Sequence, residues 1–171
     1  MKRHSNLAVL LPSFMLAAGF AMEADAEIIS IAITAEVAEV DDPGDFLAGA
    51  IKVGDEITGT YVYRSTTGDN NCAETVGDYR HTTAPFGITL NAGGLVFRTD
   101  PNNVDFLVEI VNDHGVPARD NYLLRSYKNI FAVSVPPNES GDPANNHIAW
   151  QLDDETLAAL SSDALPTAPP A

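Results

Sequence analysis

In the stretch EIISIAITAEVAEV, the residues Ile29, Ile31, Ile33, Ala35 and Val37 alternate with Ser30, Thr34 and Glu36. A beat of two puts every apolar side chain on one face of an extended chain and the polar ones on the other. A helix would need its apolar residues three and four apart, and β-branched side chains suit a pleated surface better. The same beat recurs along the chain. Ile57, Tyr61 and Tyr63 alternate with Thr58, Thr60 and Val62; Phe86, Ile88 and Leu90 face Leu95 and Phe97 across Ala92-Gly93-Gly94, the pattern of a hairpin. Val104, Phe106, Val108 and Ile110 form another set, and Ile148, Trp150 and Leu152 the last, with further segments at 122–127 and 130–135.

About eight short strands separated by Gly-, Pro- and Asn-rich turns predict an all-β chain: an antiparallel two-sheet β-sandwich, jelly-roll-like, over residues 27–154. A closed barrel has the same sequence pattern. The polar run TTGDNNCAETVGD reads as a loop, and only Glu155 to Leu160 has helical propensity, for a turn or two. No internal repeat stands out.

The first 26 residues follow a different logic. Lys2, Arg3 and His4 precede an uncharged apolar run from Leu7 to Phe20, and Ala24-Asp25-Ala26 supplies small residues at the two positions a signal peptidase reads. The apolar run is shorter than the ~18–20 residues a membrane span needs. The expectation is a signal peptide cleaved after Ala26, a secreted or extracellular mature chain, and no transmembrane segment in it. The whole chain carries a net charge of -15. Removing the leader takes two basic and two acidic residues with it, leaving 7 basic against 22 acidic. That balance argues against nucleic acid and anionic membranes as partners, because both demand Lys and Arg. Cys72 is the sole cysteine, so no internal disulfide forms, and a tolerated loop thiol is the simple reading.

Catalytic signatures are missing: no nucleophile elbow, no HExxH, no CxxC and no phosphate-binding Gly loop. His81, His114 and His147 fall in separate segments and read as surface or turn histidines rather than metal ligands. Asp41, Asp42 and Asp45 surround one turn, and Asp69, Asn70 and Asn71 another. Such loops suit calcium, yet they lack EF-hand spacing and are ordinary soluble turns, so no cofactor is assigned. Tyr61, Tyr63, Tyr79, Tyr122, Tyr127 and Trp150 are read as core rather than as sugar-stacking platforms. Asn138-Glu139-Ser140 fits a glycosylation sequon, a weak signal on its own. Asp153 and Asp154 are adjacent carboxylates, but neighbours on a strand point to opposite faces. No catalytic, cofactor-binding or metal-ligating residue is nominated.

The phrases IKVGDEITGTYVYRS, VGDYRHTTAPFGITLNAGGLVF, VEIVNDHGVPARDNYLL and IAWQLDDETLAALSSDALPTAPP, taken with the N-terminal leader, resemble exported bacterial β-sandwich proteins of the PEP-CTERM sorting-system type. The resemblance implies a non-enzymatic role outside the cell or at its surface, with exopolysaccharide or other matrix components as partners. It carries no catalytic residue across. In those proteins the Pro-rich stretch is a connector leading to further strands and a sorting signal. Here residues 155–171 end the chain, so the resemblance implies a shortened protein, with an open sheet edge or an uncovered core face. The rival expectation is an extracellular carbohydrate-active hydrolase or lyase using a pair of acidic residues.

Overall fold

A computed structural model describes residues 27–134 and 147–168. The expected signal peptide and the Asn138 sequon lie outside the described residues. Those described contain no helix and nine strands: β1 (Ile28–Glu36), β2 (Glu56–Arg64), β3 (Val76–His81), β4 (Gly87–Ala92), β5 (Leu95–Thr99), β6 (Phe106–His114), β7 (Arg119–Ser126), β8 (Asn129–Phe131) and β9 (Ile148–Asp154). They form two antiparallel sheets, one in the order β1-β2-β4-β5-β8 and the other in the order β3-β6-β7-β9.

The alternation maps onto the sheets as the sequence predicts in β1 and much of the rest, though Leu152, expected in register with Ile148 and Trp150, is 44% exposed. Ile29, Ile31 and Ile33 of β1 are buried and their neighbours exposed. In register across β2, Ile29 pairs with Tyr63 and Ile31 with Tyr61. From the second sheet, Tyr79, Phe106, Val108, Ile110, Tyr122 and Leu124 join the same buried cluster. One sandwich-like core is therefore built from the inner faces of both sheets. Its centre holds three tyrosines: the Tyr61 ring stacks on Tyr63 at 5.9 Å and tilts against Tyr122 at 6.2 Å. Burial raises the pKa of all three phenols, Tyr63 to about 12.

The β4–β5 hairpin turns on Gly93 and Gly94, both with positive φ. A Cβ on Gly93 would fall 2.1 Å from the Ala50 carbonyl oxygen, whereas one on Gly94 would meet nothing within 4 Å. Gly94→Ala is therefore expected to cost only left-handed backbone strain, about 1 kcal/mol, and Gly93→Ala about 2–3 kcal/mol because the 50s loop must also move. Urea midpoints of the two variants check the order; equal losses would contradict it.

Three elements differ from the sequence expectation. β3 arises where a loop was expected, because its inward residues are Gly77, Tyr79 and His81, which do not read as an apolar row. β8 is only three residues long. The Glu155–Leu160 segment is a loop: the Asp154 carboxylate accepts hydrogen bonds from the Thr156 hydroxyl and from the N–H groups of Thr156, Ala158 and Ala159. That begins like a helix N-cap, but Leu157 has φ 59° and the turn does not propagate. These hydrogen bonds, the Thr156 hydroxyl first, hold the Asp154 pKa down at about 2.

The Ser/Ala/Pro-rich stretch, expected as a connector or loose tail, is laid on the body as far as it is described. Leu160 and Leu165 pack against the core cluster. Tyr79 donates its hydroxyl to the Asp163 carbonyl at 2.9 Å, and Tyr63 donates to the Pro166 carbonyl at 2.6 Å. Gly77 admits the strap, since a Cβ there would lie 2.4 Å from Asp163 O. Asp120, 1% exposed, accepts from Leu160 N–H at 2.9 Å and from Asp113 N–H at 3.0 Å. One strap thus touches both sheets at one end of the core.

Candidate functional site

β2 and β3 belong to different sheets but finish side by side. Arg64 N–H, at the end of β2, donates to His81 Nε2 at 3.1 Å, and the Thr67 hydroxyl lies 2.9 Å from the same nitrogen. Because Nε2 accepts from a backbone N–H, the ring proton sits on Nδ1, which donates to the Tyr79 carbonyl at 3.1 Å. The imidazole is 4% exposed, and its ring lies 4.9 Å from Phe86 and 6.0 Å from Phe106. Burial pushes its pKa below the usual 6.5. His81 is therefore not the surface or turn histidine that scattered spacing suggested. It is a neutral clip between the sheets.

Around this clip opens a cleft of about 150 Å³ lined by Arg64, Thr67, Arg80, Thr82, Thr83 and Phe86 beside His81. Alternation explains the lining. Tyr63 and Tyr79 point inward to the core and the strap, so Arg64 and Arg80, one residue on, point outward. The Arg64 guanidinium sits 5.3 Å over the Phe86 ring, and that of Arg80 5.3 Å over Tyr127. Arg80 also pairs with Asp105, the one ion pair among the described residues, which leaves the Arg64 charge without a carboxylate partner there. Phe86 also lines a second concavity of about 300 Å³ on the outer side of the first sheet, with Thr60, Val62, Pro85, Thr89 and Arg98. Three of the seven lysines and arginines in residues 27–171 thus gather along one run of surface on a strongly acidic protein.

Sequence reasoning nominated none of these residues, although a signal was present. YRSTT at 63–67 and YRHTT at 79–83 share the form Tyr-Arg-x-Thr-Thr. Read as strand ends, each places a tyrosine inward, an arginine outward and two hydroxyls in the following turn.

The other candidates are structural or dispersed. Asp42 accepts from the N–H groups of Phe46 and Leu47 at 2.9 and 2.7 Å. Asp69 Oδ1 accepts from Asn71 and Asp78 N–H, both at 2.8 Å. Both acidic loops therefore spend carboxylate oxygens on their own backbone, and no three His, Cys, Asp or Glu side chains converge as a metal group among the described residues. His114 Nδ1 meets the Thr75 hydroxyl at 2.9 Å, His147 is exposed, and Cys72 is exposed and free. Tyr61, Tyr63, Tyr79 and Tyr122 are buried in the core, while Tyr127 and Trp150 are half-buried. Asp153 bonds to Asn121 and Gln151, whereas Asp154 serves the loop after β9. An open apolar concavity of about 320 Å³, with Val37, Leu47, Ile57, Leu90 and Phe97 in its lining, remains where the first sheet extends past the core cluster.

One carboxylate pair does meet. Asp78 and Glu109 are direct cross-strand partners on the outer face of the second sheet. Burial, then the Asp78 charge, raises the Glu109 pKa, with Arg125 opposing. Asp78 Oδ1 is buried with no hydrogen-bond donor beside it. A raised acid costs stability once ionised, and the cost fades as pH falls through its folded pKa. Glu109→Gln is expected to stabilise the protein at pH 7 by about 0.5 kcal/mol, the scale of a screened cross-strand like-charge pair. The gain should shrink towards pH 4.5; denaturation midpoints against pH measure it, and a loss of stability at pH 7 would contradict the pairing.

No protein-family model, curated protein or solved structure matches the chain. Among the described residues no helix is long and apolar enough to cross a membrane.

Proposed function

We propose that this chain is an exported, non-enzymatic β-sandwich protein, jelly-roll-like in its strand exchange between sheets, that acts by binding extracellular or surface-matrix material. The observation that carries the reading is the cleft between Arg64 and Arg80. Two guanidiniums rest on aromatic rings and three threonine hydroxyls surround them, while the His81 imidazole beside them is buried with both ring nitrogens engaged by backbone groups. Such a set binds and orients an anionic, hydroxyl-bearing group without providing for bond cleavage. The N-terminal basic–apolar–small layout supports export, and the strand-and-turn phrasing supports kinship with exported proteins of the PEP-CTERM type. Expressed in a Gram-negative host, the chain should leave the cytoplasm with Glu27 as its new N-terminus, and should stay with the cell-surface matrix until salt releases it. Full-length chain retained inside the cell would overturn the reading.

The Asp78–Glu109 pair favours a second reading, an extracellular carbohydrate hydrolase or lyase with Glu109, whose ionisation burial opposes, as the acid. Release of reducing ends from acidic or neutral polysaccharides, lost in Glu109→Gln, would establish it in place of the first.

A further inference from the structure

The arginine cleft and the neighbouring groove lie side by side, with Phe86 in the lining of both. The two concavities differ in a useful way. The first is polar, with the Arg64 and Arg80 forks and hydroxyls of Thr82 and Thr83. The second alternates apolar surface from Val62, Pro85 and Phe86 with the hydroxyls of Thr60 and Thr89, and Arg98 stands at its side. A pyranose ring has this same mixture, apolar C–H faces and hydroxyl edges. A guanidinium fork matches a carboxylate through two parallel hydrogen bonds.

Resting on the binding reading above, we infer that the site takes an acidic glycan chain: one uronate carboxylate held between Arg64 and Arg80, the next acidic sugar lying in the groove against Arg98. Arg64 supplies the charge that is not already neutralised, because Arg80 is shared with Asp105. Arg64 is also pre-positioned over Phe86, so little side-chain freedom is lost when the ligand arrives. A polyphosphate chain is disfavoured by the same charges. It carries a full negative charge on every repeat, and three arginines do not offset its repulsion from a chain of net charge -15. A polyuronate is repelled less, because its charges are spaced a whole sugar ring apart. The Arg64 and Arg80 sites arise from the paired Tyr-Arg-x-Thr-Thr strand ends, so the inward tyrosines that hold the strap also fix where the arginines emerge.

Titration calorimetry of the purified mature chain with a short oligogalacturonate tests the inference, with neutral dextran oligomers and a poly-glutamate peptide as the other arms. Binding is expected for the oligogalacturonate alone, and should weaken as salt rises. Arg64→Gln should weaken it about tenfold, the loss of one charged hydrogen-bonding group at an open site. Arg98→Gln should weaken it for the oligomer and leave unchanged the weaker binding of monomeric galacturonate, titrated as a further arm. Arg64→Lys keeps the charge but loses the fork, and should fall between Arg64→Gln and the wild type. Both side chains are exposed, so far-UV circular dichroism should match the wild type. Equal affinity for dextran, or full affinity in Arg64→Gln, overturns the inference. Preference for poly-glutamate reassigns the cleft to an acidic peptide. Should the chain be exported and matrix-bound yet ignore the oligogalacturonate, the inference fails and the binding reading stands. Should it bind the oligomer but remain inside the cell, the export reading fails alone.

Discussion

Asp120→Ala is expected to lower the unfolding free energy by about 3 kcal/mol and to release the C-terminal strap. The carboxylate is buried, and each oxygen accepts one backbone N–H: Asp113 in the β6–β7 turn and Leu160 in the strap. Hydrogen bonds to a charged group contribute about 1.5–3 kcal/mol each, and orphaning buried donors adds their desolvation. Part of this is offset, because the variant no longer has to bury a carboxylate. Asp120→Asn keeps the shape but offers one oxygen in place of two, so about half the loss is expected. On a domain of this size, 3 kcal/mol corresponds to roughly 10 °C in Tm. Limited proteolysis separates strap release from general destabilisation: cleavage within 155–168 should accelerate in Asp120→Ala well below its Tm. Unchanged protection of the strap would show that Asp120 serves the turn alone. Asp154 contributes differently. Its pKa is held at about 2, so its support for the loop after β9 is complete above the unfolded-state value near 4 and is lost as pH falls towards 2.

The second large effect falls on His81. Its replacement by Phe preserves a flat ring between Phe86 and Phe106 but leaves the Arg64 N–H and the Tyr79 carbonyl unpartnered, an expected cost of about 2–3 kcal/mol at neutral pH. The pH dependence has a definite sign. Burial lowers the folded pKa, so below about 6.5 the unfolded chain takes up a proton that the folded chain resists. The neutral clip therefore contributes fully above that pH and progressively less below it, down to the folded pKa. Wild type and His81→Phe should converge in stability as the pH is lowered from 7.5 to 5, as read from guanidinium midpoints. A constant gap across that range would mean that the imidazole is no part of the inter-sheet link.

The regular part of the fold was legible because burial and alternation coincide. The run from Ile29 to Ile33 and the Gly93-Gly94 hairpin announce themselves, since a half-buried strand and a left-handed turn each demand particular residue types. Legibility failed where an inward position is not apolar. Gly77 is inward because the strap lies over it, and His81 because it satisfies two backbone groups; neither looks like core, so β3 passed for loop. The tail looked loose for a related reason. Its hold on the body comes from backbone groups meeting Tyr63, Tyr79 and Asp120, and a sequence does not display which backbone groups are used. The cleft combines Arg64 and Arg80 from different sheets, a juxtaposition set by topology rather than by local pattern, with the repeated Tyr-Arg-x-Thr-Thr as its one written trace.

Everything above depends on the inner faces of two separate sheets meeting in one interior. Aromatic NOEs measured on residues 27–171 test this directly. Cross-peaks are expected between the Tyr61 and Tyr122 rings, which lie 6.2 Å apart across the two sheets, and between the methyls of Leu165 and the core. Tyr61 contacts confined to Ile31, Ile88 and Tyr63 of its own sheet, with none to Tyr122, would contradict the shared core, and with it the placement of the strap and the cleft.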